Sequence, residues 1–78
     1  MKKVKIFTAD DSLSCKQLKS YLSLKKIQFE EIDIGRNKEE AARLIHETGY
    51  SMVPQVQIDD KFIVGFDPKK IDELLEKD

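Results

Sequence analysis

Residues 3–22, KVKIFTADDSLSCKQLKSYL, change from one hydrophobic periodicity to another within a short stretch of chain. The first six residues alternate, and one set of alternating positions holds Val4, Ile6 and Thr8. Phe7 falls in the opposite set, together with two lysines. A period of two predicts a β-strand over residues 3–8 that has one strongly apolar edge.

The second part of the stretch has the spacing of an α-helix, with apolar residues at Leu18, Tyr21 and Leu22. This spacing predicts a helix over residues 13–26 with one apolar face. The helix begins at two serines and the chain's only cysteine, in the block Ser12-Leu13-Ser14-Cys15. Ser12 is a suitable N-cap, but Ser14 followed by Gln17 fits a capping box, so both assignments stay open.

The rest of the chain continues the alternation of strands and helices. Strands are predicted over residues 28–34, 54–58 and 61–66, and helices over residues 37–49 and 67–78. Asn37 and Asp67 are the expected N-caps, and Gly49 is the expected end of the second helix. A two-residue link, Asp59-Asp60, predicts a hairpin in which Asp60 takes a left-handed conformation.

The predicted order of elements is β-α-β-α-β-β-α, without internal repeats or linkers. The first two strands should be parallel because a right-handed helical crossover joins them, whereas the hairpin should be antiparallel. We therefore expect a single α/β domain over residues 1–78, in which three helices flank a four-stranded mixed sheet.

The composition excludes several classes of protein. The chain is 40% hydrophobic and 37% charged, its net charge is −1, and its lysines are interleaved with acidic residues. This balance lacks the clustered basic excess that is typical of nucleic-acid-binding proteins. The sequence shows neither a signal peptide nor an apolar stretch of membrane-spanning length, so no membrane association is expected.

The cysteine count bounds the chemistry further. One cysteine cannot form an internal disulfide, and one cysteine with one histidine cannot form a Cys/His zinc site. Carboxylates are numerous, but none has the spacing of a calcium loop. We therefore expect no metal, no bound cofactor, a monomeric chain and a reducing, cytoplasmic location.

Three separated motifs resemble those of the glutaredoxin family of the thioredoxin-fold superfamily, and the resemblance covers the whole chain. The first is a strand that ends at Thr8 and is followed by the S-L-S-C block, where the family has C-x-x-C. The second is SMVP, residues 51–54, which is similar to the Thr-Val-Pro segment whose proline is cis. The third is VGFDP, residues 64–68, which resembles the segment before the last helix. The small redoxins that reduce ribonucleotide reductase are among the most similar members.

The resemblance implies a thiol–disulfide oxidoreductase with a thioredoxin-like fold, in which Ser12 occupies the position of the attacking cysteine and Cys15 that of the resolving cysteine. Thiol–disulfide exchange needs a thiolate, which the N–H groups and positive dipole of a helix start stabilise. A serine oxygen cannot take part in this exchange, so we expect little dithiol activity. The serine fits either a divergent natural redoxin or an engineered Cys→Ser variant.

The interpretation of Cys15 stays open between a residual redox role and a small, half-buried helix residue. Neighbouring charges act in opposite directions on a thiolate at this position. The two aspartates at 10 and 11 would oppose it, whereas Lys16 and Lys19 would favour it.

For substrate binding, the resemblance implies that the backbone of Val53, next to a cis Pro54, pairs with a bound peptide or with glutathione. A plain proline at the start of a strand is the simpler alternative. Gly65, Phe66 and Asp67 correspond to the segment that holds the γ-glutamyl end of glutathione, although Asp67 is also explained as an N-cap.

Departures from the family pattern weaken the glutathione site. Ala9 replaces the usual lysine or arginine three residues before the first cysteine, Val64 replaces a glycine, and Leu13-Ser14 replaces Pro-Tyr. These changes favour a protein partner, for which Phe66 and Met52 would form an apolar rim. Met52 is equally well explained by packing within its loop.

The partners implied are proteins with disulfides and a thiol reductant, either thioredoxin reductase or glutathione, the latter also as a co-substrate. One alternative is a redox-inactive thioredoxin-fold module that binds peptides at the Val53–Pro54 edge. Another is an interaction protein in which Cys15 links two chains. Serine hydrolase chemistry is not expected, because nothing in the sequence places His46, the only histidine, beside Ser12.

Overall fold

The computed structural model of the protein describes residues 2–9 and 12–76. The strands are β1 Val4–Thr8, β2 Glu30–Asp33, β3 Gln55–Ile58 and β4 Lys61–Val64, and the helices are α1 Leu13–Leu24, α2 Lys38–Thr48 and α3 Pro68–Glu76. Their order matches the predicted one, and every element is shorter than expected at one or both ends. The last two residues of the predicted third helix, and the aspartates at 10 and 11, lie outside the described residues.

The four strands form one mixed sheet in the order β2-β1-β3-β4. β1 runs parallel to β2, with Ile6 opposite Glu31, as the first crossover predicts. β3 is antiparallel to both β1 and β4, and it forms with β4 the hairpin that was expected. The sheet therefore places the end of β1 and the start of α1 beside the start of β3. The motif that contains Ser12 and Cys15 thus lies next to the motif that ends at Pro54.

The helices cover both faces of this sheet. On one face α1 and α3 enclose the larger buried cluster, formed by Val4, Ile6, Leu18, Leu22, Val56, Ile58, Ile63 and Ile71. On the other face α2 covers a smaller cluster of Phe7, Ile32 and Leu44. The prediction of a single apolar edge for β1 was wrong at Phe7, which is fully buried. A central strand of an α/β sheet is covered on both faces, so its apolar residues need not alternate.

The hairpin turn also differs from the prediction. Asp59, not Asp60, has the left-handed conformation, with a φ of 55°. The Asp59 N–H donates to the Lys3 carbonyl oxygen at 2.9 Å, and the Asp59 carboxylate accepts from the Lys3 N–H at 2.8 Å. Because these two bonds tie Asp59 to the start of β1, the first turn residue rather than the second takes the left-handed conformation.

The helix ends follow the expected caps in most cases. The Asn37 side chain accepts the Glu40 N–H at 3.0 Å, and Gly49 ends α2 with a φ of 80°. The first helix ends earlier than predicted, because Lys26 takes a φ of 59°. Within residues 2–9 and 12–76, no helix is both long enough and apolar enough to cross a membrane.

Candidate functional site

Ser12 is the N-cap of α1. Its backbone is extended, with φ −89° and ψ 119°, and its Oγ accepts the Cys15 N–H at 3.3 Å. This geometry decides between the two serines that the sequence left open, because Ser14 already lies inside the helix. The position where the resemblance implies an attacking cysteine therefore has its side chain directed at an unpaired N–H of the first helical turn.

Cys15 lies one turn further into the helix and is 3% exposed. Ser12 is half-buried, so the hydroxyl position is more accessible than the thiol. Of the two lysines expected to favour a thiolate, Lys19 forms an ion pair with Glu31 at 3.3 Å. Glu31 also accepts a hydrogen bond at 2.8 Å from the hydroxyl of Thr8, a buried residue at the end of β1. Part of the lysine charge near Cys15 is thus offset by a carboxylate from β2.

The segment around Pro54 lies against the segment around Gly65. The Val53–Pro54 peptide bond is cis. The Gly65 N–H donates to the Pro54 carbonyl oxygen at 2.8 Å, and Gly65 has a φ of 88°, which favours glycine. Two of the motif segments, separated by a whole hairpin in sequence, are thereby joined side by side.

Asp67 acts as the N-cap of α3. Its carboxylate accepts the Lys70 N–H at 3.2 Å, as its simpler interpretation predicts. Phe66, immediately before Asp67, is partly buried against the larger cluster. Its ring packs edge-on against the Tyr21 ring, with 5.8 Å between the ring centroids. This contact connects the third motif segment to α1, the helix that carries Ser12 and Cys15.

Gln55 was not identified from the sequence, although it follows Pro54 directly. Its side chain is fully buried, and its Nε2 donates to the carbonyl oxygens of Tyr50 and Met52, both at 3.0 Å. These bonds hold the loop that leads into Val53. A glutamine at an inward-facing strand position was the available signal, because a buried amide requires hydrogen-bond partners.

A second group missed by the sequence joins α1 to α3. The Asp72 carboxylate accepts from the Tyr21 hydroxyl at 2.6 Å and from the Lys25 ammonium at 2.8 Å. The Lys25 hydrogen bond, followed by that of Tyr21, lowers the pKa of Asp72, and the bond to Asp72 raises the pKa of Lys25. The Lys25 ammonium also lies 5.0 Å from the Tyr21 ring centroid.

The only histidine, His46, is exposed in the last turn of α2, on the helix that covers the opposite face from α1. No hydrogen bond joins it to Ser12 within the described part of the chain. Among those same residues, no group of three histidine, cysteine or acidic side chains is placed to hold a metal ion.

Comparison with known proteins tests the resemblance. A protein-family model described as Glutaredoxin matches residues 4–63. The chain belongs to the glutaredoxin family. It is 34% identical to an uncharacterised glutaredoxin-like 8.6 kDa protein in the rubredoxin operon of Clostridium pasteurianum, over 95% of this chain and 99% of that protein. It is also 34% identical to glutaredoxin 3 of Escherichia coli strain K12, over 86% of this chain and 81% of the relative.

A solved relative supports the same fold. The glutaredoxin-like NrdH-redoxin from Escherichia coli superposes with a TM-score of 0.79 at 29% identity, covering 92% of this chain and 93% of the relative. Its structure is described as the basis of a thioredoxin-like activity profile. The thioredoxin-like fold is therefore confirmed, and this member of the glutaredoxin family belongs to a group of thiol–disulfide oxidoreductases that work with disulfide substrates and a thiol reductant.

Proposed function

We propose that this chain is a glutaredoxin-family thiol–disulfide oxidoreductase scaffold in which Ser12 stands at the attacking position and Cys15 at the resolving position. The observation that carries the proposal is the hydrogen bond that the Cys15 N–H donates to Ser12 Oγ, at 3.3 Å. The Cys15 side chain itself is buried. A thiolate at position 12 would receive the same N–H and the positive end of the α1 dipole. The cap thus has the electrostatics that an attacking sulfur requires.

The full reaction needs two sulfur atoms. An attacking thiolate breaks the target disulfide, forms a mixed disulfide and releases one target thiol. The resolving thiolate then attacks this mixed disulfide, releases the second target thiol and leaves an internal disulfide, which an external thiol reductant reduces. With an oxygen at Ser12 the first bond cannot form, and Cys15, at 3% exposure, is poorly placed to meet an external disulfide.

For the substrate, we propose that the backbone of Val53 pairs with a bound chain beside Pro54, and that Gly65, Phe66 and Asp67 form the adjoining wall. The Gly65 to Pro54 bond supports the two segments acting as one surface. Ala9 and Val64 stand where the family has residues of the glutathione site. For a form with a cysteine at position 12, we therefore propose protein disulfides as the main substrates, thioredoxin reductase as the main reductant and glutathione as a weaker co-substrate.

We further propose a monomeric protein of a reducing compartment such as the cytoplasm. The burial of Cys15 supports the monomeric state, because a thiol that is 3% exposed offers little surface for a disulfide between two chains. A dimer linked through Cys15 would appear as a doubled mass on a non-reducing gel.

The function is tested by introducing a thiol at position 12. We expect the unmodified chain to reduce a small-molecule disulfide no faster than the uncatalysed background. We expect Ser12→Cys to raise the rate at least about tenfold, because only a thiolate enters the exchange. The matched control is the double variant Ser12→Cys/Cys15→Ser, which can form a mixed disulfide but cannot resolve it internally.

Two results would contradict the proposal. Full turnover by the unmodified chain would show that Ser12 does not stand at the attacking position. A Ser12→Cys variant that folds, binds peptides and has no turnover would favour the redox-inactive peptide-binding module.

A further inference from the structure

An apolar groove runs along the exposed side of α1, starting beside Ser12. Its volume is about 440 Å³, and it is lined mainly by Leu13, Gln17, Ser20, Tyr21, Leu24 and Phe66. Leu13 and Leu24 stand at its two ends and are 70% and 84% exposed. Leu24 lies eleven positions after Leu13, which corresponds to roughly 16 Å of helix, the length of about three turns.

The exposure of these leucines is not explained by the core. The fully buried α1 residues of the larger cluster, Leu18 and Leu22, lie on the opposite face of the helix, and Tyr21 is the groove residue of α1 that also packs against that cluster. An exposed leucine adds little to the core, and exposed apolar residues that border one groove are typical of an interaction surface, unlike apolar residues scattered singly. Leu13 and Leu24 therefore give the groove apolar surface that the core does not use.

The floor of the groove is held in place by contacts with α3. The Tyr21 hydroxyl is bonded to Asp72 at 2.6 Å, and the Tyr21 ring packs edge-on against Phe66 at 5.8 Å. The two aromatic rings that form the floor thus have fixed positions before any partner binds. Such preorganisation reduces the conformational entropy that binding would otherwise cost.

The helix beside the groove carries positive charge, although Lys19 is paired with Glu31 and Lys25 with Asp72. Residues 12–26, which include all of α1, contain four lysines and no acidic residue, although the whole chain has a net charge of −1. One of these lysines, Lys16, lines the groove itself. A basic helix beside an apolar floor is complementary to a segment that carries carboxylates and apolar side chains together.

We propose that this α1 groove, as defined by the six lining residues above, binds an acidic amphipathic segment of the protein partner. Docking there would place the partner's disulfide at the N-terminus of α1, beside position 12. The inference rests on the proposed function for the identity of the partner as a redox substrate or reductase. Its test uses binding alone, so its failure and the failure of the redox proposal are distinguishable.

The experiment titrates the ¹⁵N-labelled chain with a synthetic 12-residue helical peptide that has leucines on one face and glutamates elsewhere. A second peptide carries lysines in place of the glutamates. We expect the acidic peptide to shift the amide resonances of α1 and Phe66, and we expect its affinity to fall as salt is added. The lysine peptide should bind at least about tenfold more weakly.

Two variants of the chain locate the site. Leu24→Gln removes apolar surface from the groove without adding charge, and we expect it to weaken binding of the acidic peptide about tenfold. The matched control is Ile45→Gln, which removes an exposed apolar side chain from α2, where Ile45 is 46% exposed. It should leave the dissociation constant within about twofold, since it lies outside the groove. Circular dichroism confirms that both variants remain folded.

The proposal is overturned if neither peptide binds, if both bind equally, or if Ile45→Gln weakens binding as much as Leu24→Gln. It is also overturned if dilution of the chain alone shifts the groove resonances and sedimentation shows a dimer. A second copy of the chain, rather than an acidic partner, would then cover the groove.

Discussion

At the scale of single residues, the C-terminal end of α1 holds a non-glycine residue in a left-handed backbone conformation, which lowers the stability of the fold. The Lys26 N–H donates to the Ser23 carbonyl oxygen at 3.0 Å, and the Ile27 N–H donates to that of Leu22 at 2.9 Å. This is the hydrogen-bond pattern of a Schellman motif, which places its left-handed residue at Lys26 with a φ of 59°. Glycine is the usual residue there because it has no Cβ to oppose this conformation.

We therefore expect Lys26→Gly to stabilise the chain by about 0.5 kcal/mol, the relief of left-handed strain being partly offset by the greater freedom of glycine in the unfolded state. Urea denaturation measures the change. The matched control is Lys26→Ala, which removes the same side chain but keeps a Cβ in the left-handed conformation. An equal gain from both substitutions would show that the effect does not come from the backbone conformation.

Most residues of the candidate site could be identified from the sequence, because the residues next to each one indicate its role. Ser12 is a cap residue before a helical pattern, and Asp67 precedes a proline at a helix start. Gln55 could not be assigned in this way. Its bonds to the loop before Val53 depend on how that loop folds back, which no short-range pattern encodes.

At the scale of elements, the contact between α1 and α3 depends on charges that are far apart in sequence. Tyr21 and Asp72 are separated by 51 positions, so no local pattern pairs them before the helices are placed in the fold. The lowered pKa of Asp72 means that its carboxylate stabilises the fold in its charged form. The raised pKa of Lys25 likewise means that its ammonium form is favoured in the folded chain.

These directions predict how stability changes with pH. The contribution of Asp72 is present above its unfolded pKa and is lost as the pH falls through its lower folded pKa. The contribution of Lys25 is present below its unfolded pKa and is lost only at strongly alkaline pH. The contact should therefore operate fully from about pH 5 to about pH 9.

We expect Asp72→Asn to lower the free energy of unfolding at neutral pH, and we expect its difference from the unmodified chain to shrink as the pH falls below the usual range of an aspartate. Urea denaturation over a series of pH values measures this difference. Glu73→Gln, an exposed substitution on the same helix, controls for the general loss of a negative charge. A difference that stays constant down to strongly acidic pH would contradict the role of the charged carboxylate.

At the scale of the whole molecule, the fold depends on two cores of unequal size. The order of elements, the parallel β1–β2 pair and the β3–β4 hairpin could be predicted from the sequence alone. The antiparallel pairing of β1 with β3 could not, because it depends on where the hairpin joins the sheet. The smaller core was not predictable in the same way, because Phe7 was grouped with lysines by its alternation and only its contact with Leu44 under α2 explains its burial. The burial of each face of a strand can be predicted only after the helices have been assigned to the two faces of the sheet.

The small core beneath α2 should open before the rest of the molecule. It has three buried residues, whereas the cluster beneath α1 and α3 has eight, and α2 is its only helical cover among the described residues. Regions with little buried apolar surface open at lower free energy than the global unfolding transition. Native-state hydrogen exchange should therefore show that amides in α2 are less protected than those in α1.

A matched pair of substitutions tests whether this opening is separate from global unfolding. Ile32 belongs to the small core and Ile63 to the large one, and a change of either to valine should cost about 1 kcal/mol. Ile32→Val should lower the opening free energy of α2 amides by about that amount, because the contact is lost when α2 opens. Ile63→Val should lower the protection of α1 amides and leave that of α2 unchanged, since its contacts persist in the partly open state. If α2 amides lose as much protection in Ile63→Val as α1 amides do, the two cores unfold as one unit.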